Sequence, residues 1–236
     1  MKDPRVLAVC LTADRHAMTA RAVESWKAQT YVNRSLFVRD TGIDAYPLIQ
    51  DHGIYGEHWP VERGRTIGAL RNLANAYASP HCLNADIIIH FDSDDISHPS
   101  RIAEQVALLQ ASGKECVGYR ECLFWRTPQN EAWKYQNADP RHCLGASLAY
   151  YRSTWEQNPF RDLPQNPHGT GEDNDFVKRV SSLGISALAV DGPRLVCSIH
   201  GANSSGYDLE ELVRRGSPNW DRVPQFDAGL ERRMVA

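Results

Sequence analysis

The chain of 236 residues is 42% hydrophobic and carries a formal net charge of -3. It has apolar material for one large α/β core, or for a core with a small appendage. The charge excludes an overall basic surface of the kind that grips nucleic acid unselectively. Cys10, Cys82, Cys116, Cys122, Cys143 and Cys197 lack C-x-x-C spacing, which suits reduced thiols better than a disulfide framework or a zinc site. No apolar run approaches the ~20 residues of a membrane span. The amino terminus runs into a strand without a signal-peptide pattern, so a soluble, cytoplasmic protein is expected.

In chain order, strand and helix alternate. Residues 6–11 are a short apolar run fit for a central parallel strand, stopping at Thr12-Ala13-Asp14, where Thr12 or Asp14 can cap a helix. Met18, Ala22, Val23 and Trp26 then form an apolar stripe at helical spacing. Residues 35–39 are the next strand, ending at Asp40-Thr41-Gly42. Residues 43–65 are irregular, with a weak strand near 51–55, and a helix is predicted over 66–78 with Arg71 and Asn72 on or beside its apolar face. Residues 84–91 form a buried strand and 99–112 an amphipathic helix closed by Gly113.

Beyond this the alternation weakens. Strands are expected over 115–125 and 142–151, the second carrying Gly145, Ala146 and Ser147, small residues that let a ligand approach the backbone. Residues 131–136 are a short polar-aromatic piece, and 153–157 a helical turn. Residues 161–171, rich in Pro, Asn and Gly, read as a connection. A helix over 174–183 closes at Gly184, strands follow at 185–191 and 195–199, and a short helix at 209–215. The pattern is that of an α/β sheet with parallel strands.

The sharpest chemical feature is Ile87-Ile88-Ile89-His90-Phe91 running into Asp92-Ser93-Asp94-Asp95. Carboxylates so close repel one another unless a cation lies among them. Hard oxygen ligands at a strand's carboxyl end suit Mg2+ or Mn2+ shared with substrate phosphates. Asp, Ser and Pro are also turn formers, and Ser97 or Ser100 can cap the next helix, so the stretch alone leaves both readings open.

Several landmarks together resemble family-2 glycosyltransferases of the GT-A fold, over roughly residues 5–205. Leu11-Thr12-Ala13-Asp14-Arg15 stands for that family's P-T-Y-N-R, and the helix with Ser25, Gln29 and Thr30 for A-L-x-S-x-x-x-Q-T. Val38-Arg39-Asp40-Thr41-Gly42 stands for V-D-D-G-S, and Ala69-Leu70-Arg71-Asn72 for A-x-R-N. Phe91-Asp92-Ser93-Asp94-Asp95 stands for F-L-D-S-D-D, and Gly171-Glu172-Asp173-Asn174-Asp175-Phe176 for G-E-D-x-D-F.

The resemblance implies a GT-A fold: a Rossmann-like nucleotide-binding half with a mostly parallel central sheet, plus an acceptor-binding half. Residues 1–205 would be one domain, with 1–95 binding the nucleotide sugar and 96–205 the acceptor, and 206–236 a helical or irregular extension. Thr12, Asp40 and Arg71 would hold the base and ribose of a donor, a UDP-sugar. Asp92 would face ribose and metal, Ser93 would lie in the diphosphate site, and Asp94 would ligate Mn2+ or Mg2+. Asp173 would be the general base, supported by Glu172, and His200 would match a late histidine that completes the metal site. A lone histidine is also commonly a hydrogen-bonded structural residue, and an acid in a helix's first turn is favoured by the dipole anyway.

The chemistry asks for these types. A diphosphate leaves only if its developing charge is neutralised, and an alcohol attacks only as a carboxylate takes its proton. One base facing one leaving group gives an inverting transfer. Arg39 in place of an acid and Leu11 in place of Pro depart from the family pattern. The Q-x-x-R-W signature of processive members is absent, which favours addition of a single sugar.

The acceptor would meet the later half, where Trp125, Trp133, Tyr135, Tyr150, Tyr151 and Trp155 can stack on a ring or pack a core. Arg120, Arg126, Lys134, Arg141 and Arg152 accompany them, which would suit an anionic glycan, a phosphorylated lipid head group or nucleic acid. Two other classes remain open. A nucleotidyltransferase would carry a Gly-rich loop after its first strand, where residues 11–16 have no glycine. A silent nucleotide- or glycan-binding module would have no need of a base.

Overall fold

A computed structural model describes residues 3–47, 53–81, 85–126, 129–164, 171–189, 192–201 and 208–223. It is a mixed α/β structure around one curled sheet. Strands β1 (Val6–Thr12), β2 (Arg34–Asp40), β3 (Ile54–His58) and β4 (Ile87–His90) form a parallel block in the order β3-β2-β1-β4. Their near-continuous apolar runs are what a strand covered on both faces requires. Helices α1 (His16–Lys27), α2 (Ile67–His81) and α3 (Arg101–Ser112) connect and flank this block. Val6, Ala8, Ile87 and Ile89 face one apolar cluster with Trp26, Ile102 and Leu109, while Leu7, Val9 and Ile88 face another with Ala74, Phe160 and Phe176.

Beyond β4 the sheet turns antiparallel. The short β5 (Ile96–Ser97) follows the aspartate loop, and the long β6 (Cys116–Arg126) is the spine of the second half. It pairs antiparallel with β7 (Glu131–Gln136) and β8 (Ala149–Tyr151), and parallel with β9 (Ser182–Ser186) and β12 (Leu195–Ser198). The helices here are α4 (Arg152–Gln157), α5 (Glu172–Arg179) and α6 (Leu209–Arg214). A small hairpin is made by β10 (Leu188–Ala189) and β11 (Gly192–Pro193), and β13 (Trp220–Val223) extends the sheet from β7.

Several elements differ from the sequence reading. The helix expected to run through residue 183 ends at Arg179, and Gly184 is not its cap but lies inside β9, opposite Gly118 of β6. A Cβ at Gly184 would sit 2.1 Å from the His142 carbonyl oxygen, so glycine is there for a close backbone approach. The strand expected over 142–151 is a 3-10 turn, Gly145–Ser147, and only then β8. The weak strand near 51–55 lies at Ile54–His58, its first two expected residues being outside the described ones. Helix α1 starts two residues after Asp14, at His16, with Arg15 at the N-cap position and no side-chain cap. At α3 the residue before the helix is Ser100, but its hydroxyl donates to Glu104. The open Ile102 N–H instead donates to Gln29 Oε1 at 3.1 Å, so a residue just beyond the end of α1 caps α3 from across the fold.

Of the aromatics considered for acceptor stacking, Trp125, Trp133, Tyr135 and Tyr150 are core residues. Arg126 is paired with Glu131 and Glu210, and Arg152 with Glu156. Cys10, Cys116, Cys122, Cys143 and Cys197 are buried free thiols, and Cys82 lies outside the described residues. No helix among the described residues is long and apolar enough to cross a membrane.

The most unusual core group is Arg101, fully buried at 0% exposure. Its guanidinium donates to Ser97 Oγ, Gln105 Oε1, and the carbonyls of His90 and Ala146 at 2.8–3.1 Å. Burial pushes its pKa down, partly offset by Tyr119 and by the aspartates beyond. One side chain thus ties β4, β5, α3 and the Gly145 turn together. Arg101→Met should lower stability by about 3–5 kcal/mol, because it strands the buried His90 carbonyl and breaks the tie between these elements. A denaturant titration checks this, and a loss below ~1 kcal/mol would refute the role.

Candidate active site

Strands β1, β2 and β4 all end on one edge of the parallel block, and the polar residues at their ends line a cleft. Thr12, ending β1, is buried, and its Oγ1 hydrogen-bonds Thr19 Oγ1 at 2.7 Å. Asp40, ending β2, accepts from the Gly42 N–H (2.8 Å) and the Tyr46 N–H (2.7 Å), so both its oxygens shape the loop beside the cleft. Arg39 turns away into a buried bidentate pair with Glu62 at 2.6–2.7 Å. The basic residue at this position is therefore neutralised from residue 62, a partner no local motif announces.

The loop after β4 carries the aspartates. Asp92 Oδ1 meets Arg71 Nη2 at 3.5 Å, and Arg71 Nε donates to Glu172 Oε1 at 3.2 Å. Arg71, on α2, thus joins the aspartate loop to the start of α5. Burial would lower its pKa, but the fields of Asp92 and Glu172 outweigh that and raise it. Arg71 Nη1 and Ser93 Oγ are buried without a hydrogen-bond partner among the described residues. Such orphaned groups are uncommon in a protein and mark a place where a ligand's polar atoms can complete the structure.

Asp94 is held differently. Its Oδ2 accepts from Arg15 Nη1 at 2.9 Å and lies 2.8 Å from His200 Nε2. Asp95 faces inward, accepting from the Ser198 N–H of β12 at 3.0 Å. Burial raises the Asp95 pKa well above the ordinary carboxylate range, and Asp94 and Asp92 add to it. Asp92 is raised too, by burial against the opposing field of Arg71.

Across the cleft stands Asp173, in the first turn of α5. Helix α5 is anchored by Phe176, which packs on Phe160 and Tyr150. The segment before it is clamped by Asn72, which donates to the Phe160 carbonyl at 2.7 Å and accepts from its N–H at 3.0 Å. Asp173 Oδ1 accepts from the Asn174 N–H at 2.8 Å. Burial raises its pKa, opposed by that hydrogen bond and by Arg71. Glu172 is raised likewise by burial, and Arg71 lowers it in part.

The other carboxylate oxygen of Asp173 lies against Gly145, where a Cβ would come within 2.1 Å of Oδ2. The small residue expected to admit a ligand admits Asp173 instead. The Gly145 turn is fixed from behind. Burial holds the His90 pKa far below its ordinary value, so the imidazole is neutral, and Nδ1 lies 2.6 Å from the Gly145 carbonyl, to which it can only donate. Nε2 then accepts from Tyr150 OH at 3.2 Å, which accepts from Asn75 Nδ2 at 3.1 Å.

The structure therefore gathers Arg71, Asp92, Glu172 and Asp173 into one connected group, and Asp94 with His200 into another, joined through residues 92–94. Thr12 and Asp40 line the same edge through backbone-directed bonds. Arg15, Asp95 and His90 are residues to which the sequence assigned no role, and Gly145 was assigned to a ligand rather than to Asp173. Arg15 is visible there only as the end of the first motif, and His90 only as a polar interruption of an isoleucine run.

Among the described residues, no three His, Cys, Asp or Glu side chains converge as a preformed metal cluster. The donor set nonetheless fits a small hard cation that takes most of its oxygens from a bound diphosphate and water. Asp94 and His200 present donor atoms 2.8 Å apart, about the spacing of adjacent ligands around an ion with ~2.1 Å bonds.

Neither a family model nor a curated protein matches the chain. Among solved structures it is similar to TarS of S. aureus. Against the 1–349 fragment the TM-score is 0.61 at 13% identity, covering 82% of this chain and 60% of the fragment. Against the same fragment in complex with UDP-GlcNAc the TM-score is 0.62 at 13% identity, covering 89% and 64%. Against the longer TarS structure it is 0.60 at 13% identity, covering 83% of this chain and 37% of that one. The chain thus spans less than two thirds of the length of each of these neighbours. At this identity the likeness establishes the architecture, and the fold is GT-A.

Proposed function

We propose that the chain is a family-2-type glycosyltransferase that moves one sugar, with inversion, from a nucleotide-diphosphate donor to an acceptor hydroxyl. One observation carries the reading. A buried carboxylate of raised pKa, Asp173, stands across a cleft from a charged edge whose Arg71 has an unpartnered buried nitrogen. A base on one wall and a diphosphate site on the other is the arrangement that an in-line transfer needs. The structural neighbours include TarS fragments solved with UDP and with UDP-GlcNAc, which supports a UDP-sugar as donor.

In this reading Thr12 and Asp40 position the base and ribose through the loops they shape. Arg71 meets the diphosphate side, and Ser93 offers its hydroxyl there. Asp94, His200 and Asp92 would hold Mn2+ or Mg2+, which when bound supplies Lewis-acid neutralisation of the leaving group. Asp173 takes the proton of the attacking hydroxyl, and its raised pKa makes it a stronger base than an exposed aspartate. Glu172 fixes Arg71 between base and donor. A glycan, a lipid head group or another hydroxyl-bearing molecule would serve as acceptor.

Thermal melts with UDP, with and without Mn2+, test the donor site. The midpoint should rise with UDP plus Mn2+, and this rise should vanish in Asp94→Ala. Asp173→Asn should keep the rise and lose at least ~10²-fold in UDP release from UDP-GlcNAc. No shift with any nucleotide would sink the donor assignment, and full turnover in Asp173→Asn would sink the base.

Because the Asp173 pKa is raised in the fold, kcat/KM should fall with decreasing pH on a limb above the ordinary aspartate value of about 3.9. The same shift makes ionised Asp173 a cost to the native state. That cost is absent below the unfolded pKa and grows as pH rises through the folded one. Asp173→Asn should therefore gain stability relative to wild type between about pH 4 and neutrality, and a constant difference would contradict it.

Gly145→Ala should displace Asp173 without touching the donor edge. The expected result is a kcat loss of about 10²-fold with UDP affinity unchanged. Parallel loss of nucleotide binding would show that the turn supports the whole cleft rather than the base.

A further inference from the structure

Arg15 has no part in the chemistry described so far, yet its guanidinium reaches Asp94, 79 residues away in the chain. It opens α1, and its carbonyl is gripped by the Thr19 N–H at 3.0 Å and the Thr19 hydroxyl at 3.1 Å. The backbone is pinned, so the long side chain is the movable part. The Arg15 side chain is 28% exposed and that of Asp94 13%, so the pair sits at the wet side of the site rather than in the core.

A single carboxylate oxygen is being shared. Asp94 Oδ2 lies 2.9 Å from Arg15 Nη1 and 2.8 Å from His200 Nε2. A divalent cation ligated by that oxygen through a bond of ~2.1 Å would stand within about 5 Å of Arg15 Nη1, and like charges at that distance repel. Arg15 and the metal thus compete for Asp94. The competition ends if a diphosphate arrives with the metal. Its oxygens lie next to Asp94 by construction, and a planar guanidinium fork matches phosphate oxygens better than it matches one carboxylate oxygen.

We infer that Arg15 is an exchanging counter-ion: it neutralises Asp94 while the donor site is free, and moves to the diphosphate when metal and nucleotide enter together. The inference rests on the donor-site reading above and adds a consequence to it. The ion pair opposes metal alone and rewards metal with diphosphate, so Arg15 makes the two bind cooperatively. Coupling of this kind is reciprocal: nucleotide must tighten metal by the same factor that metal tightens nucleotide, typically 5–150-fold.

The test uses MnCl2 and UDP on the whole chain, with free Mn2+ read by electron paramagnetic resonance and UDP binding by calorimetry. In Arg15→Ala, Mn2+ alone should bind at least ~5-fold more tightly, because Asp94 is released. UDP at saturating Mn2+ should bind at least ~10-fold more weakly, because a phosphate partner is lost. Opposite signs in one variant are not what a damaged fold produces. Arg15→Lys keeps a charge without the fork, so it should keep the weak Mn2+ binding and recover only part of the UDP affinity. Unchanged or weaker Mn2+ binding in Arg15→Ala, or unchanged UDP binding, overturns the exchange. So does UDP binding in the wild type that ignores Mn2+. Should the wild type bind neither probe, the donor-site reading itself fails and Arg15 is a structural ion pair.

Discussion

Charge confinement is the constraint on which the rest of this structure turns. Asp92, Asp94, Asp95, Glu172 and Asp173 lie close enough for the fields of one another to matter, and Arg15, Arg71 and Arg101 are the cations set among them. Each arginine deals with a different part of the excess. Arg101 sits beneath, wholly buried and bonded to neutral acceptors, where it acts on the aspartates only through its field. Arg71 bridges the two carboxylate groups directly. Arg15 approaches from the solvent side. Even so, carboxyls outnumber guanidiniums, and Asp92, Asp95, Glu172 and Asp173 are all pushed above the ordinary carboxylate range, first by burial and then by one another's fields. A region left short of positive charge is one that welcomes a cation from outside.

The two walls of the cleft are built by different means. The donor wall comes from strand ends and the loops after them, with carboxylates such as Asp40 and Asp95 spending their oxygens on backbone N–H groups. The base wall comes from a short helix held by aromatic packing and from a 3-10 turn stapled on three sides. His90 takes the Gly145 carbonyl, Arg101 the Ala146 carbonyl, and Gln105 the Ser147 carbonyl at 2.6 Å. Three successive carbonyls with buried partners leave the turn no freedom, which is what an aspartate packed against a glycine α-carbon requires.

The parallel block and its aspartate edge were legible because both signals are local. An isoleucine run that breaks into acids reads as a buried strand, and it is one. Gly113 reads as a helix stop and has the left-handed conformation of one, with φ of 64°. Gly184 gives the same local signal and is misread, since its reason is the close approach of the His142 carbonyl, 42 residues earlier, to a position inside β9. Arg39 looks like a broken motif until Glu62 is seen beside it. The aromatics of β6 and β7 suggest a stacking platform until cross-strand pairing turns Trp133 and Tyr135 into the core of the second half. Thr12, Asp40, Arg71 and Asp173 were each singled out from short motifs; Asp40 and Asp173 are held by backbone N–H groups close by in the chain, whereas the Glu172 that holds Arg71 lies 101 residues away and leaves no trace in spacing.

Strand β6 carries one more implication. Its eleven residues pair with β8 and β9 near one end and with β7 and β12 near the other, and β8 in turn pairs with β4 of the parallel block. The halves on either side of the aspartate loop are consequently joined by a continuous ladder rather than by a linker. Among the described residues this ladder leaves no hinge on which two lobes could swing together over a ligand. Any closure must come from side chains and from the loops at the strand ends, small displacements that leave the sheet still. The spine is also assembled by long-range contacts, since β6 meets β12 only across some seventy residues of intervening chain, and pairing of that kind is the slow kind to form.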